Sequence, residues 1–368
     1  MRTLAVIPLY RDSLQAAERP IFSAGTLSAS LFRYESGVEA IRIRNRRGEL
    51  VILPWLGQMI WSARFDGVDL AMRSGFDMPH QSSTIAGTYG CLLFHSGLLR
   101  NGVPGPGDDH AAHGEFPTAP LQRAWLELIE DEAGLALRLV GERDYVMGFG
   151  SMYRATPSVM LHEHQAVFSV ELDVMNRSGK PMELMYMAHA NFAFVPDGRI
   201  IQPMPYTPAH VAVRRAVPGH VQPTPAYLEL MEALAADPAR METLSEPALY
   251  DPEQVFYLHG MRSDPDGMTA MMLRRPEGDA FSMRWQAHEF SHCVRWILND
   301  PDQKTAAFAL PSTCEPEGHA AESRKGNVRH LPPGGRAHFG IEAGYLDHAE
   351  ADAAEARIAG LHHDEAAS

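Results

Sequence analysis

Apolar and polar positions alternate with a period of two through most of this chain. In residues 38–45, Ile41 and Ile43 alternate with Arg42 and Arg44, which gives one face for a core and one for water. From Val167 to Tyr186 the alternation runs through Phe168, Val170, Leu172 and Val174. It breaks at Asn-Arg-Ser-Gly-Lys-Pro and resumes at Met182, Leu184 and Tyr186. That pattern predicts a β-hairpin. Similar strand–turn–strand signals lie at 48–72, with a turn near Asp66-Gly67, at 124–140 and at 268–285. After Pro332-Pro333-Gly334-Gly335, residues 336–346 read as a closing strand. Helical spacing occurs in two places. Residues 225–244 put Leu228, Met231 and Ala235 on one face, and residues 349–361 are rich in Ala and Glu, a helical or mobile tail. Many short strands with few helices predict an all-β sandwich, with one domain over 1–346 and a tail over 347–368.

Composition narrows the function. The 32 Lys and Arg against 46 Asp and Glu leave a formal charge of −14, and no basic run offsets it. A nucleic-acid partner is therefore not expected. Three scattered cysteines, Cys91, Cys293 and Cys314, fit reduced thiols better than a disulfide framework. The apolar run near the N-terminus is too short for a signal segment, and no stretch is long enough to span a membrane. A soluble cytoplasmic protein is the expectation, with a homodimer left open.

Two segments hold candidate chemistry. Residues 89–120 form a loop rich in Gly and Pro that carries His95, His110 and His113, and a glycine follows His113. Such a glycine lets the chain bend sharply and lets a ligand approach. The second segment ends the strand after the predicted hairpin. Period two puts Met185, Met187 and His189 on one face, so a polar residue continues an apolar stripe as the strand leaves the core. Elsewhere such a histidine is an ordinary core residue. Beside it, Asn191 and Phe192 would suit the hydroxyls and the C–H face of a sugar. The motif His288-Glu289-Phe290-Ser291-His292 fits HExxH, which binds zinc on a helix. Here Phe281, Met283 and Trp285 lead into it as a strand, so no metal site is assigned.

These segments resemble the galactose mutarotase (aldose 1-epimerase) superfamily, in particular its uncharacterised bacterial DUF4432-like branch. His113-Gly114-Glu115-Phe116-Pro117-Thr118-Ala119-Pro120 is similar to the branch's LHG loop. Ala188-His189-Ala190-Asn191-Phe192 is similar to its YHxNFG stretch. Residues 309–318 and 326–334 are similar to an ending of the form EPxT…G…LxPG. The resemblance implies a galactose-mutarotase-like supersandwich with a few peripheral helices and a sugar cleft on one sheet. It implies that His113 binds the sugar and His189 protonates its ring oxygen. It makes Glu253 the counterpart of a hydroxyl-gripping acid, and Arg100 the nearest counterpart of an arginine. His95 joins the substrate-binding set.

Interconverting anomers needs a base at O1 and an acid at the ring oxygen, and histidine is suited to the latter. No cofactor is required. The family's glutamate base, however, is replaced here by Leu310. Another carboxylate must then act, and Glu315 or Glu253 is best placed, with Glu342 less so. The leading reading is a carbohydrate epimerase acting on a free sugar or sugar acid. The alternatives are a sugar-binding protein that has lost the chemistry and a metal-dependent sugar isomerase.

Overall fold

The structure, a computed structural model, describes residues 1–217 and 221–361. The alternating segments become strands of two antiparallel sheets, of nine and thirteen strands among the described residues. The smaller sheet starts at Arg2–Leu9 and passes through the hairpin Arg123–Asp131/Gly134–Val146, then Met152–His162 and Val167–Asn176. It continues through the closing strand Arg336–Leu346 to the hairpin of Ala280–Gln286 and Met268–Arg274, with Arg199–Ile201 at its edge. The larger sheet joins an N-terminal meander, Arg19–Ala24 to Ile60–Phe65, to Leu93–Leu98, Met182–Ala190, Lys304–Ser312, His292–Asn299 and Gln254–Leu258. The inner faces bury one hydrophobic cluster whose members run from Leu9 to Tyr345. Aromatic pairs bridge the sheets: Phe65 lies 6.4 Å from Phe168, Phe192 5.4 Å from Phe281, and Tyr186 4.6 Å from Phe339.

Three of the strand–turn–strand signals are hairpins, but the most regular one is not. Val167–Asn176 pairs with strands of the smaller sheet and Met182–Ala190 with strands of the larger, so the turn between them crosses from sheet to sheet. Asn176 fixes the crossing. It is fully buried, and its amide donates to the carbonyls of Lys180, Leu331 and Pro332 at 2.8, 2.9 and 3.1 Å. Alternation reports which face of each strand is buried, not which strand lies beside it.

The helices also differ from the reading. Helix α1 covers Pro225–Ala236 and stops at Asp237, because Pro238 cannot continue it. Helix α2, His319–Lys325, is short and was not anticipated. Helix α3, His348–Gly360, is docked on the outer face of the smaller sheet. It buries Ala351, Ala354 and Ile358 against Met272, Ala280 and Leu346. Ion pairs Arg47–Glu350 at 2.7 Å and Arg274–Glu355 at 2.6 Å tie it down. Residues 362–368 of the expected tail lie outside the described residues. No helix is long and apolar enough to cross a membrane among those described.

The pairing of Leu93–Leu98 with Met182–Ala190 sets where the histidines point. Phe94 sits opposite His189, Ser96 opposite Met187, and His95 opposite Ala188. Opposed residues share a face and neighbours alternate, so Phe94 and His189 face one way while His95 faces the other. His95 therefore enters the core between the sheets. Its Nδ1 lies 2.9 Å from the hydroxyl of Tyr186, and it has no exposed surface. This places it in the inter-sheet core and outside the cleft lining, unlike the substrate-binding position expected for it.

Two stability measurements follow. Asp347 caps α3 in a reciprocal capping box with Glu350, so Asp347→Ala should cost about 1 kcal/mol in urea unfolding. Burial lowers the His95 pKa to about 3. Between the ordinary histidine value and that figure, only the unfolded chain takes up the proton, so acidification costs stability. From pH 7 to 5 this site alone should cost about 2 kcal/mol. His95→Gln should therefore lose less stability over that interval than the wild type, and an equal loss would refute the protonation assignment.

Candidate functional site

The outward face of the larger sheet carries a cleft of about 820 Å³. Its floor follows from strand register. Leu310 is opposite Val294, Val294 is opposite Tyr257, and Val255 is opposite Trp296, so these side chains share one face. Met187, Val255, Val294, Ala307 and Leu310 form a buried apolar patch, with Tyr257 and Trp296 packed against it.

At one side of this floor stand two histidines. His189 is 4% exposed and stacks on Phe94 with ring centroids 4.5 Å apart. His113 meets it edge-on at 4.9 Å. Both line the cleft, together with Tyr89, whose hydroxyl is 3.4 Å from Nε2 of His189. The rings of Tyr89 and Trp296 lie 5.8 Å apart and close the third side. His113 is delivered by a loop pinned to Leu93–Leu98: its carbonyl accepts from Gly97 at 2.9 Å, and its amide donates to Gly102 at 2.8 Å. Its φ is +63° and that of Gly114 is +79°. A Cβ on Gly114 would fall 2.0 Å from the carbonyl oxygen of Arg100, so only glycine fits the turn behind the histidine. Glu115 completes the anchor by accepting from the amides of Leu98 and Leu99 and from the hydroxyl of Tyr153.

Burial keeps both cleft histidines neutral. It lowers the pKa of His113 to about 4, with a smaller push from His110. Burial, then the nearness of His113, holds His189 well below the usual histidine range, while the Asn191 side chain works the other way. Two unprotonated imidazoles facing one space can accept hydrogen bonds from hydroxyls or exchange protons with them.

The rim is polar. Asp251, Glu253, Asp300, Gln222, Gln303 and Arg214 line it. Glu253 accepts a hydrogen bond from the indole N–H of Trp296, and the Tyr227 hydroxyl donates to its backbone carbonyl at 3.0 Å. Arg214 pairs with Glu317 at 2.8 Å, and Tyr257 donates to the same carboxylate.

Of the residues picked out by sequence, His113, His189 and Glu253 line the cleft, and five do not. Besides His95, Asn191 is fully buried beside the cleft wall, donating to the Cys91 carbonyl at 3.1 Å. Phe192 lies in the inter-sheet core against Phe281 and Phe308. Arg100 pairs with Glu183 at 2.8 Å. Glu315 precedes the lining residue Pro316 but is not itself in the lining, and its carboxylate is held by Lys325 at 2.5 Å. A base role for Glu315 therefore has no geometric support, and Glu342 pairs with Arg284 on the other sheet. The HExxH segment is a turn leading into His292–Asn299, and its Glu289 accepts from the Gly340 amide at 2.7 Å. No cluster of three or more potential metal ligands occurs among the described residues. Sequence reading missed Tyr89, Ser96, Trp296 and Arg214. Ser96 was accessible in principle, being two residues from Phe94 on the same face.

Comparison with known proteins agrees with this architecture. A provisionally assigned aldose 1-epimerase from Klebsiella pneumoniae superposes with a TM-score of 0.79 at 16% identity, covering 99% of this chain and 96% of that one. A galactose mutarotase-like protein from Clostridium acetobutylicum gives 0.56 at 12% identity, over 88% and 99% of the two chains. At these identities the likeness shows the fold alone, a galactose-mutarotase-like supersandwich. No protein of curated function matches the sequence. Residues 35–204 and 220–344 match the pattern of the family described as a domain of unknown function, DUF4432, and the chain belongs to that family.

Proposed function

We propose that the cleft binds a free sugar and interconverts its anomers. The observation that carries this reading is the His113–His189 pair, 4.9 Å apart and neutral, beside an apolar floor and under an acidic rim. A pyranose has an apolar C–H face and a belt of hydroxyl donors. Tyr89 and Trp296 offer aromatic faces for the first. Asp251, Glu253 and Asp300 offer acceptors for the second. Kinship in fold with aldose 1-epimerase-like proteins points the same way.

One observation favours a second reading, binding without turnover. Leu310, where the resemblance expects the carboxylate base, is 1% exposed in the apolar floor and can neither accept nor donate a proton.

Anomer exchange measured by NMR on a panel of aldoses, ketoses and uronic acids separates the two. The expected result is protein-catalysed exchange for at least one sugar. His189→Asn should reduce that rate roughly 100-fold or more while changing the melting temperature far less in proportion. Glu253→Gln should chiefly weaken binding. Binding of a sugar with no exchange above the spontaneous rate would select the second reading, and no binding by any member of the panel would sink both.

A further inference from the structure

The hydrogen-bond chain behind His113 fixes which of its nitrogens carries the proton. Ser96 and Asn101 are both fully buried. The Asn101 amide group donates to the sulfur of Cys314 at 3.4 Å, which turns its oxygen toward Ser96. The Ser96 hydroxyl donates to that oxygen. The other acceptors in reach are the carbonyl and Nδ1 of His113, at 3.3 and 3.1 Å. A hydroxyl has only one hydrogen to give, and here the Asn101 oxygen takes it. The contact between Ser96 Oγ and His113 Nδ1, at 3.1 Å, must therefore run from nitrogen to oxygen. Nδ1 bears the hydrogen, and Nε2 is left with a lone pair. His113 lines the cleft, and among the described residues nothing else hydrogen-bonds to its ring, so Nε2 is the nitrogen available there.

We infer that His113, held in this tautomer by Ser96 and Asn101, is the proton acceptor of the reaction and fills the role that Leu310 cannot. The inference rests on the anomerase reading above. Nε2 takes the proton from O1 as the O1–H bond breaks. C1=O1 forms while C1–O5 breaks, and the electron pair stays on O5. Because O1 and O5 are both attached to C1, the same nitrogen can then return its proton to O5, giving the neutral open-chain sugar. After rotation about C1–C2 the steps reverse: Nε2 takes the O5 proton, O5 closes on the other face of C1, and O1 regains a proton. Charge and atoms balance with no co-reactant. His189, with Tyr89 against its Nε2, flanks the same space and stabilises O5 by a hydrogen bond while O5 carries the electron pair, the contribution that His189→Asn removes. The titratable groups that face the His113 ring are His110 from its own loop, His189 and Tyr89. The pKa of about 4 keeps Nε2 unprotonated at neutral pH. The first neighbours to act through His113, Ser96 and Asn101, are positioning residues and touch no substrate.

The test begins with sugar-free protein labelled with ¹⁵N-histidine, the His113 signals being assigned by their loss in His113→Asn. Asparagine tolerates the positive φ at that position. The expected pattern at pH 7 is a protonated Nδ1 and a bare Nε2. In Ser96→Ala both tautomers should appear, and Ser96→Thr should restore one. With a sugar that shows exchange, His113→Asn should lose roughly 100-fold or more. Ser96→Ala should lose roughly five- to tenfold, a hydrogen bond's worth. The wild-type rate should fall on the acid side near pH 4 instead of near the ordinary histidine value. A protonated Nε2 in the wild type, or a His113→Asn rate within about twofold of wild type, would overturn the inference even if exchange is present. The predicted tautomer without exchange for any sugar would instead overturn the reaction itself, and the base role with it.

Discussion

The site depends on one constraint, the register between Leu93–Leu98 and Met182–Ala190. Both strands are buried on both faces, and that register divides their residues between two environments. His95 and Tyr186 go inward to the core between the sheets. Phe94, Ser96, Met187 and His189 go outward, where Met187 and His189 line the cleft and Phe94 and Ser96 back its histidines. A slip of one residue would exchange the two sets. It would put His95 and Tyr186 in the cleft and leave His189 among Leu172, Phe281 and the other side chains of the inter-sheet core. Register is strongly specified here because each set fits only one side. Phe94 stacks on His189, and Tyr186 packs on Phe339.

The same burial that specifies register also sets the electrostatics. Three histidines on these two strands and their loop, His95, His113 and His189, have depressed pKa values, with burial the leading cause for each. In the core that is only a cost, since acid favours the unfolded chain. In the cleft it is useful, because an imidazole that resists protonation keeps a lone pair for a hydroxyl at neutral pH. The sugar reading and the tautomer inference both draw on that one property.

Much of this was legible in the sequence, for physical reasons that differ from residue to residue. Strands were readable because period-two burial leaves its mark on composition, as in Ile41 and Ile43 against Arg42 and Arg44. His113 was readable because Gly114 marks a turn in which any side chain would strike the Arg100 carbonyl. Pairing was not readable. The turn at residues 177–181 looked like a hairpin, but the three carbonyls bound by Asn176 come from both sides of a sheet crossing and lie as far away as Pro332. Helix α2 spans only seven residues and is too short to show a period. Proximity in sequence misled for Phe192, three residues past His189, because the chain turns inward there to meet Phe281 and Phe308. Glu315 failed for a different reason, since its carboxylate is taken up by Lys325 from α2.

Leu310 is best understood from its surroundings. It is opposite Val294 and packed with Met187, Val255 and Ala307, so the floor is apolar over five side chains drawn from four strands. A carboxylate at this one position would be stripped of water while the neighbouring donors of Tyr257 and Trp296 are committed to Glu317 and Glu253, and an uncompensated buried charge of that kind costs several kcal/mol. The floor is therefore organised around the leucine as a unit, and a proton-accepting group could not be restored there by one substitution without cost. The polar atoms that can handle a proton have a different location. They sit at the strand ends and on the loop, on His113 and His189, where Ser96 and Tyr89 supply partners. Chemistry placed at the side of the cleft leaves the apolar floor free to hold the C–H face of a ring. That division of labour gives a carboxylate-free floor a physical rationale.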